Sequence, residues 1–369
     1  MHPGLTVAER TAFQGSRVLI TGAGGSIGSE LAREIAACRP AALGLLDHSE
    51  LGLFGIEREV LARWPGVPVS AHLADVTRRA AVLRVCRDLR PDVIYHAAAY
   101  KHVTMAERAP AASVHVNVLG TFELASAAAA MGARFLLISS DKAADPKSVM
   151  GATKRLAEVV TLSLASETFR PVVVRFGNVL GSSGSVLQIM RECVRAGRPI
   201  PLTDPDATRY FMTAAEAVGL VLRADLLGRA SEIVWLDMGT PVRMGDLAQR
   251  MLDLEATLGH LPVPLTVVGL RPGEKRTETL TDGQLVFERT IDAHIRVARD
   301  RRPRGASLAA ALVRLRRAAI RADDAMALAE LALAVPGFAP SAQARAMASR
   351  VLAASVESGR PTRRRRRAA

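Results

Sequence analysis

The part of this sequence best suited to moving protons is Ser139-Ser140-Asp141-Lys142, followed later by Lys154. A carboxylate beside an amine can give and take protons on one face of a substrate. In isolation such a pair is usually a solvated surface ion pair. Here it follows the apolar run Phe135–Ser139, which reads as a strand, so it stands at a strand's carboxyl end. Ligands of open α/β sheets bind at that edge. Met150-Gly151-Ala152-Thr153-Lys154 begins the next helix, and Met150 and Lys154 fall on one face, a turn apart. A thioether cannot take or give a proton, so Met150 is neither acid nor base.

A second constellation lies near the start. Gly22, Gly25 and Gly28 are three apart, with Gly24, Ser26 and Ile27 among them. Arg17–Thr21 precedes them as a short apolar strand, and Ser29–Cys38 follows with helical spacing. Glycines allow a tight turn and close backbone approach to a pyrophosphate, which the free amides of a helix N-terminus attract. Asp47 closes the second strand, Ala42–Leu46, where a ribose-binding acid belongs. Its charge would repel a 2′-phosphate and so favours NAD over NADP, although His48 and Arg58 leave room for NADP. Asp75 and Val76 follow the third strand and suit an adenine. Ala97 and Ala98 follow His96 and let backbone pass close to a flat cofactor. Each of these also suits plain packing.

These groups need a scaffold. Val67–Leu73, Val93–His96 and Val172–Arg175 are further strands, separated by helical segments such as Thr121–Met131 and Ala152–Leu164. Strands alternating with helices imply a parallel sheet covered on both faces. After Gly181 prolines mark frequent loops (Pro199, Pro201, Pro205, Pro241, Pro262, Pro264, Pro272), which predicts a smaller lobe on the carboxyl ends of the strands. Glu232–Leu236 would bring the chain back into the main sheet, and Leu308–Ala334 and Ala342–Ser355 read as helical.

The chain has 369 residues, 49% of them hydrophobic, with a net charge of +13. No stretch of 18 or more residues is apolar without a charge, and Met1–Gly15 has no apolar leader core, so neither a membrane span nor a secretory signal is expected. Cys38, Cys86 and Cys193 are far apart, which predicts free thiols in a reducing cytoplasm and no metal site. Arg363–Arg367 reads as a solvated tail, with weak docking to anionic membrane as the alternative; no specific nucleic-acid partner is expected.

Several stretches together resemble a known family: Val18–Glu30 (VLITGAGGSIGSE), Leu46–Glu50 (LDHSE), Pro91–Glu107 (PDVIYHAAAYKHVTMAE), Ile138–Glu158 (ISSDKAADPKSVMGATKRLAE), Val174–Val186 (VRFGNVLGSSGSV), Thr208–Ala217 (TRYFMTAAEA) and Leu270–Lys275 (LRPGEK). Their order and content are similar to the nucleotide-sugar 4,6-dehydratases of polysaccharide biosynthesis, the UDP-N-acetylglucosamine 4,6-dehydratases. The likeness is greatest to members in which methionine, here Met150, replaces the tyrosine of short-chain dehydrogenases. The resemblance implies an α/β fold: a Rossmann-type doubly wound parallel sheet with a smaller C-terminal substrate-binding lobe. On that basis residues 1–14 are an N-terminal extension and 15–180 the NAD-binding domain, its sheet completed from 230–240. Residues 181–340 are the substrate lobe and C-terminal helices, and 341–369 a helix running into a basic tail.

The resemblance also implies roles. NAD removes hydride from the sugar C4 and returns it to C6, Asp141 acts as the acid at C6, and Lys142 as the base at C5. A lysine base must be neutral, so its pKa is expected to fall through burial or the nearby Lys101 and Lys154. Ser140, Asp141 through a water, or Lys154 would take the C4 hydroxyl proton. Ser140 stands where the family commonly has threonine. Asn178, Arg209 and Arg271 would contact the diphosphate, Glu274 the uridine ribose, and Lys101 and His102 the sugar. The partners implied are a UDP-sugar and further copies of the same chain. Two readings compete: an epimerase acting at C4 or C5, and an idle NAD-binding scaffold or sensor. Met150 points to retention at C5, and the Asp141-Lys142 pair argues against an idle protein.

Overall fold

Fifteen strands and thirteen α-helices occur among the described residues of a computed structural model, namely 4–182, 184–227, 232–279, 285–298 and 306–346. The first half alternates strictly. The helix α1 (Val7–Thr11) leads into β1 (Arg17–Thr21), α2 (Ser26–Ala37), β2 (Ala42–Asp47), α3 (Glu50–Arg63), β3 (Val69–Leu73), α4 (Arg79–Leu89) and β4 (Val93–His96). There follow α5 (Val103–Arg108), α6 (Pro110–Val114), a π-helical stretch His115–Gly120, α7 (Thr121–Met131), β5 (Arg134–Ile138), α8 (Val149–Ser163) and β6 (Val172–Arg175).

The strand order is β3-β2-β1-β4-β5-β6, continued by β11 (Ile233–Leu236) and by the antiparallel β15 (Ile295–Ala298) and β14 (Glu288–Arg289). This is the doubly wound order expected, and β11 does return to pair in parallel with β6. Successive strand residues feed opposite faces. Val18, Ile20, Leu43 and Leu45 pack under α2, α3 and α10 (Ala214–Leu226). Leu19, Leu46, Ile94 and Phe135 pack under α4, α7 and α8. Burial on both faces explains why the strands read as continuous apolar runs.

The smaller lobe has its own core. The helix α9 (Val186–Arg195) and α11 (Met244–Thr257) close over β8 (Ile200–Leu202), joined by Met190, Cys193, Met251 and Val263. Pro201, expected in a loop, lies within β8. Among the described residues that strand pairs only with β13 (Leu265–Val267), so a missing donor is tolerated. Short ribbons tie this lobe together: β7 (Asn178–Val179) with β10 (Phe211–Met212), and β9 (Thr208–Arg209) with β12 (Val242–Arg243).

The late helical region is two helices, α12 (Ala306–Ile320) and α13 (Asp324–Ala334), broken where Ala322 takes φ +51°. They pack on α6 and α8, on the flank of the main sheet, through Leu315, Leu328, Leu331 and Val149. Residues 342–346 are helical; the rest of the helix expected there and the arginine run 363–367 lie outside the described residues. One described helix, Pro110–Met131, is long and apolar enough to cross a membrane. It contains the buried Glu123 and packs into the protein core, with 61% of its most apolar window buried.

Candidate active site

Three hollows line the carboxyl edge of the sheet. The first, about 240 Å³, lies between the glycine turn and the ends of β2 and β3, lined by Gly24, Asp47, His48, Asp75, Val76 and Ala98. It shares Gly22, Gly25, Ala97 and Tyr100 with a larger cavity of about 770 Å³. Only the larger one has the size usual for a small-molecule site. Lys142 and Asn178 form a partition between that cavity and a third, of about 160 Å³.

The glycine turn is built by steric need. Gly22 has φ +69°, and a Cβ there would lie 2.6 Å from the Ala98 amide nitrogen. A Cβ on Gly28 would lie 2.0 Å from the Gly22 carbonyl oxygen. The helix α2 is capped by Gly25 without a side-chain hydrogen bond, and Ser26, Ile27 and Gly28 of its first turn line the large cavity. An anion would find backbone amides there. Asp47 is fixed beside the turn: its carboxylate accepts from the Gly24 amide and the Ser49 amide, each at 2.8 Å. Asp75 accepts from the Thr77 amide at 2.8 Å. Arg58 stacks over Phe54 and does not line the first hollow. His96 is wedged between the hydroxyls of Thr21 (2.7 Å) and Thr121 (3.0 Å). Burial, aided by Lys154, drives its pKa down to about 3, so it packs as a neutral ring.

At the other end, β5 delivers Ser140, Asp141 and Lys142 in one 3₁₀ turn, Asp141–Ala143. The helix α8 starts at Ser148 as cap, earlier than the apolar pattern suggested, and presents Met150 and Lys154 to the large cavity. Its first amide, on Val149, donates to Glu107 at 2.7 Å. Ser140, Lys142, Met150 and Lys154 therefore share one wall, with Lys101 and His102 also lining the cavity.

Asp141 does not line that cavity and is 1% exposed. Its Oδ1 accepts from Ser140 Oγ at 2.8 Å and from Lys142 Nζ at 3.1 Å, while Oδ2 has no hydrogen-bond partner. Only Ser140 links its carboxylate to the cavity as a hydroxyl.

The expected fall in the pKa of Lys142 does not occur. Burial disfavours the ammonium, but Asp141 and Glu278 outweigh it and hold the group above the ordinary lysine range. Glu278 Oε1 stands 3.4 Å from Lys142 Nζ. Two carboxylates this close stabilise a cation more than burial penalises it. The depressed lysine is Lys154 instead. Burial brings it down to about 8, with Glu158 working the other way, and its Nζ donates to the Ile138 carbonyl at 2.6 Å.

Asn178, Arg209 and Glu274, three of the four residues assigned to the nucleotide, line the small cavity together. Asn178 accepts from Lys142 Nζ at 3.2 Å and faces both cavities. Arg209 was expected on a diphosphate, but its guanidinium donates to the carbonyls of Thr208 (2.8 Å), Arg276 (3.0 Å) and Lys275 (2.6 Å). A guanidinium has five donors, and here three bonds brace the loop. Glu274 lines the small cavity and accepts from the Arg271 amide at 3.1 Å. Arg271 is exposed and lines none of the three hollows.

Sequence reasoning missed Glu278 and Asn117. Glu278 is an acid in a basic stretch just after Lys275, and that contrast was the available signal. Asn117, within the π-helical stretch, accepts from the Tyr100 amide (2.7 Å) and donates to the Tyr100 carbonyl and Thr153 Oγ1 (each 3.0 Å). It ties the strand-end loop to α8, and π-turns often mark functional sites.

Sheet order, glycine turn and paired hollows define a doubly wound α/β protein of the dinucleotide-binding type. The chain belongs to the polysaccharide biosynthesis protein family, which residues 18–299 match. It is 42% identical over 291 residues to the probable polysaccharide biosynthesis protein EpsC of Bacillus subtilis, covering 78% of this chain and 48% of that protein. It is also 42% identical over 270 residues to the capsular polysaccharide biosynthesis protein CapD of Staphylococcus aureus, covering 71% and 44%. The chain thus spans about half the length of these two relatives. The structure is similar to that of Pen from Bacillus thuringiensis, with TM-score 0.72 and 28% identity over 78% of this chain and 89% of that one. It shares the fold of DesIV, a dTDP-glucose 4,6-dehydratase from Streptomyces venezuelae solved with NAD and TYD bound, at TM-score 0.63 and 22% identity over 73% and 89%.

Proposed function

We propose that this chain catalyses NAD-dependent 4,6-dehydration of a UDP-sugar in the cytoplasm. The reaction takes UDP-N-acetylglucosamine to the UDP-4-keto-6-deoxy sugar, with C5 configuration retained, for polysaccharide or glycan assembly. The observation carrying this reading is the convergence of Ser140, Lys142, Met150 and Lys154 on one 770 Å³ cavity continuous with the glycine turn. The family and the names of EpsC and CapD agree with the pathway.

The residues fit NAD. The first turn of α2, capped by Gly25, suits a pyrophosphate, and the Asp47 carboxylate suits a free ribose. With Arg58 held on Phe54, only His48 beside it would favour a 2′-phosphate. When bound there, NAD supplies a reversible hydride acceptor for C4 and donor for C6.

The protein handles the protons. Lys154, depressed to about 8, takes the C4 hydroxyl proton that a tyrosine would otherwise take. Lys142 rests as an ammonium beside Asp141, opposite to the state in which a base acts. One proton moving along their 3.1 Å hydrogen bond gives a carboxylic acid and a free amine without changing net charge. The amine then removes the C5 proton. The acid protonates the departing C6 hydroxyl through Ser140, and water leaves. Lys142, whose ammonium exchanges with solvent, delivers a proton to C5 on the same face, which is retention, and the proton taken up by Lys154 passes through water to restore Lys142. Met150 contributes apolar wall.

Purified protein incubated with UDP-N-acetylglucosamine should form a product with a C6 methyl group and a C4 ketone. In D₂O it should carry one deuterium at C5, read by NMR. A changed hexose without loss of water would make it an epimerase. No turnover of several nucleotide sugars, with NAD bound, would make it a scaffold or sensor.

A further inference from the structure

Lys142 is held by a residue from outside its own turn. Glu278 lies in the segment after the Leu270–Lys275 motif, which the smaller lobe carries. The Thr208 amide donates to the Arg276 carbonyl at 2.9 Å, Thr208 bridges Thr277, and Arg209 clamps the carbonyls of Lys275 and Arg276. The Glu278 side chain is 4% exposed, and its Oε1 faces Lys142 Nζ at 3.4 Å across the small cavity. Lys275 Nζ approaches Oε2 only to 3.9 Å, and Arg209 Nε approaches Oε1 to 4.0 Å, so Lys142 is its nearest cation.

We propose that Glu278 is a positioning residue for Lys142, supplied by the smaller lobe as the lysine's second counter-ion. This rests on the dehydratase reading for its catalytic meaning but not for its geometry. Asp141 fixes Lys142 from the sheet side and Glu278 from the lobe side, with Asn178 as the neutral third contact. The amine is thereby aimed along the partition between the two cavities. Charged groups facing this point are Asp141, Glu278 and Arg209, with Lys147, Glu274 and Lys275 around the small cavity and Lys101 and Lys154 around the large one. Removing the Glu278 charge withdraws one of two anions beside the ammonium, and the balance moves toward the free amine. The tie also makes Lys142 sensitive to the seating of the lobe.

The test is competitive acylation of lysine amines with acetic anhydride as a function of pH, read by mass spectrometry on the NAD-bound protein. Lys142 in the wild type should titrate above the lysine of a short peptide added as internal standard. In Glu278→Gln the Lys142 titration should fall by about one pH unit or more. Glu278→Asp keeps the charge and should retain most of the elevation. The basic limb of kcat should move to lower pH in Glu278→Gln, with KM changing less than kcat. An unchanged Lys142 titration in folded Glu278→Gln would overturn the proposal. If that variant fails to fold, a wild-type Lys142 titrating at or below the standard peptide lysine overturns it. Absence of dehydration by the wild type would refute the dehydratase reading and leave the acylation result standing.

Discussion

Glu158 and Asp141 are both buried carboxylates beneath the same sheet edge, but their surroundings differ. Glu158 is wholly buried and accepts four hydrogen bonds: Ser139 Oγ at 2.6 Å, Arg175 at 2.7 and 2.6 Å, and Arg155 at 2.8 Å. Burial would raise its pKa, yet the two arginines and Ser139 bring it down to about 2. Both Glu158 oxygens are matched, so the carboxylate locks α8 to β5 and β6. In the Asp141-Lys142-Glu278 cluster, Asp141 Oδ2 and Glu278 Oε2 lack hydrogen-bond partners, and Lys142 opens onto two cavities. Unmatched buried oxygens are costly, and they persist where a proton or a substrate group is to be exchanged. Saturated charge makes scaffold; under-saturated charge at a cavity is available for chemistry.

Three substitutions would break this comparison. Lys142→Met and Asp141→Asn should each lower kcat by about 10³-fold or more while NAD still binds, measured by turnover and fluorescence titration. Near-normal turnover of Lys142→Met would remove the assigned base. Glu158→Gln should act on stability, costing about 3–5 kcal/mol in urea unfolding because two buried arginines lose their counter-ion. A stable Glu158→Gln protein would show that the saturated cluster is not scaffold. Lys154 lies between the two classes. Its folded pKa of about 8 is below the unfolded value of 10.5, so keeping its proton opposes folding. That penalty is complete below pH 8 and disappears as pH rises to 10.5, a span of about 3 kcal/mol. Relative to Lys154→Met, the wild type should gain this amount between pH 7 and 10.5; a constant difference would contradict the depressed titration.

Much of the frame was legible from residue pattern. Apolar runs such as Arg17–Thr21 and Val172–Arg175 are strands at the expected places, because burial on both faces leaves no polar alternation to confuse with a loop. Glycine spacing was informative for a similar reason: Gly22 and Gly28 sit where a Cβ would strike backbone. The pull on Lys142 was not legible. Asp141 is its sequence neighbour, but Glu278 reaches it only through the fold. The bracing by Arg209 was not legible either, because its carbonyl partners on Lys275 and Arg276 come to it only through the fold.

The amino-acid sequence by itself determined the strand–helix alternation, the turn that can bring backbone close to a dinucleotide, and the absence of a titratable group at Met150. These follow from local sterics and side-chain chemistry, which need no distant partner. The tertiary structure decided the charge state of Lys142. It set Asp141 behind Ser140, turned Arg209 to the loop, depressed Lys154 and brought Glu278 to 3.4 Å from Lys142. Protonation depends on the summed field and burial at one point in space, and chain order does not encode that distance.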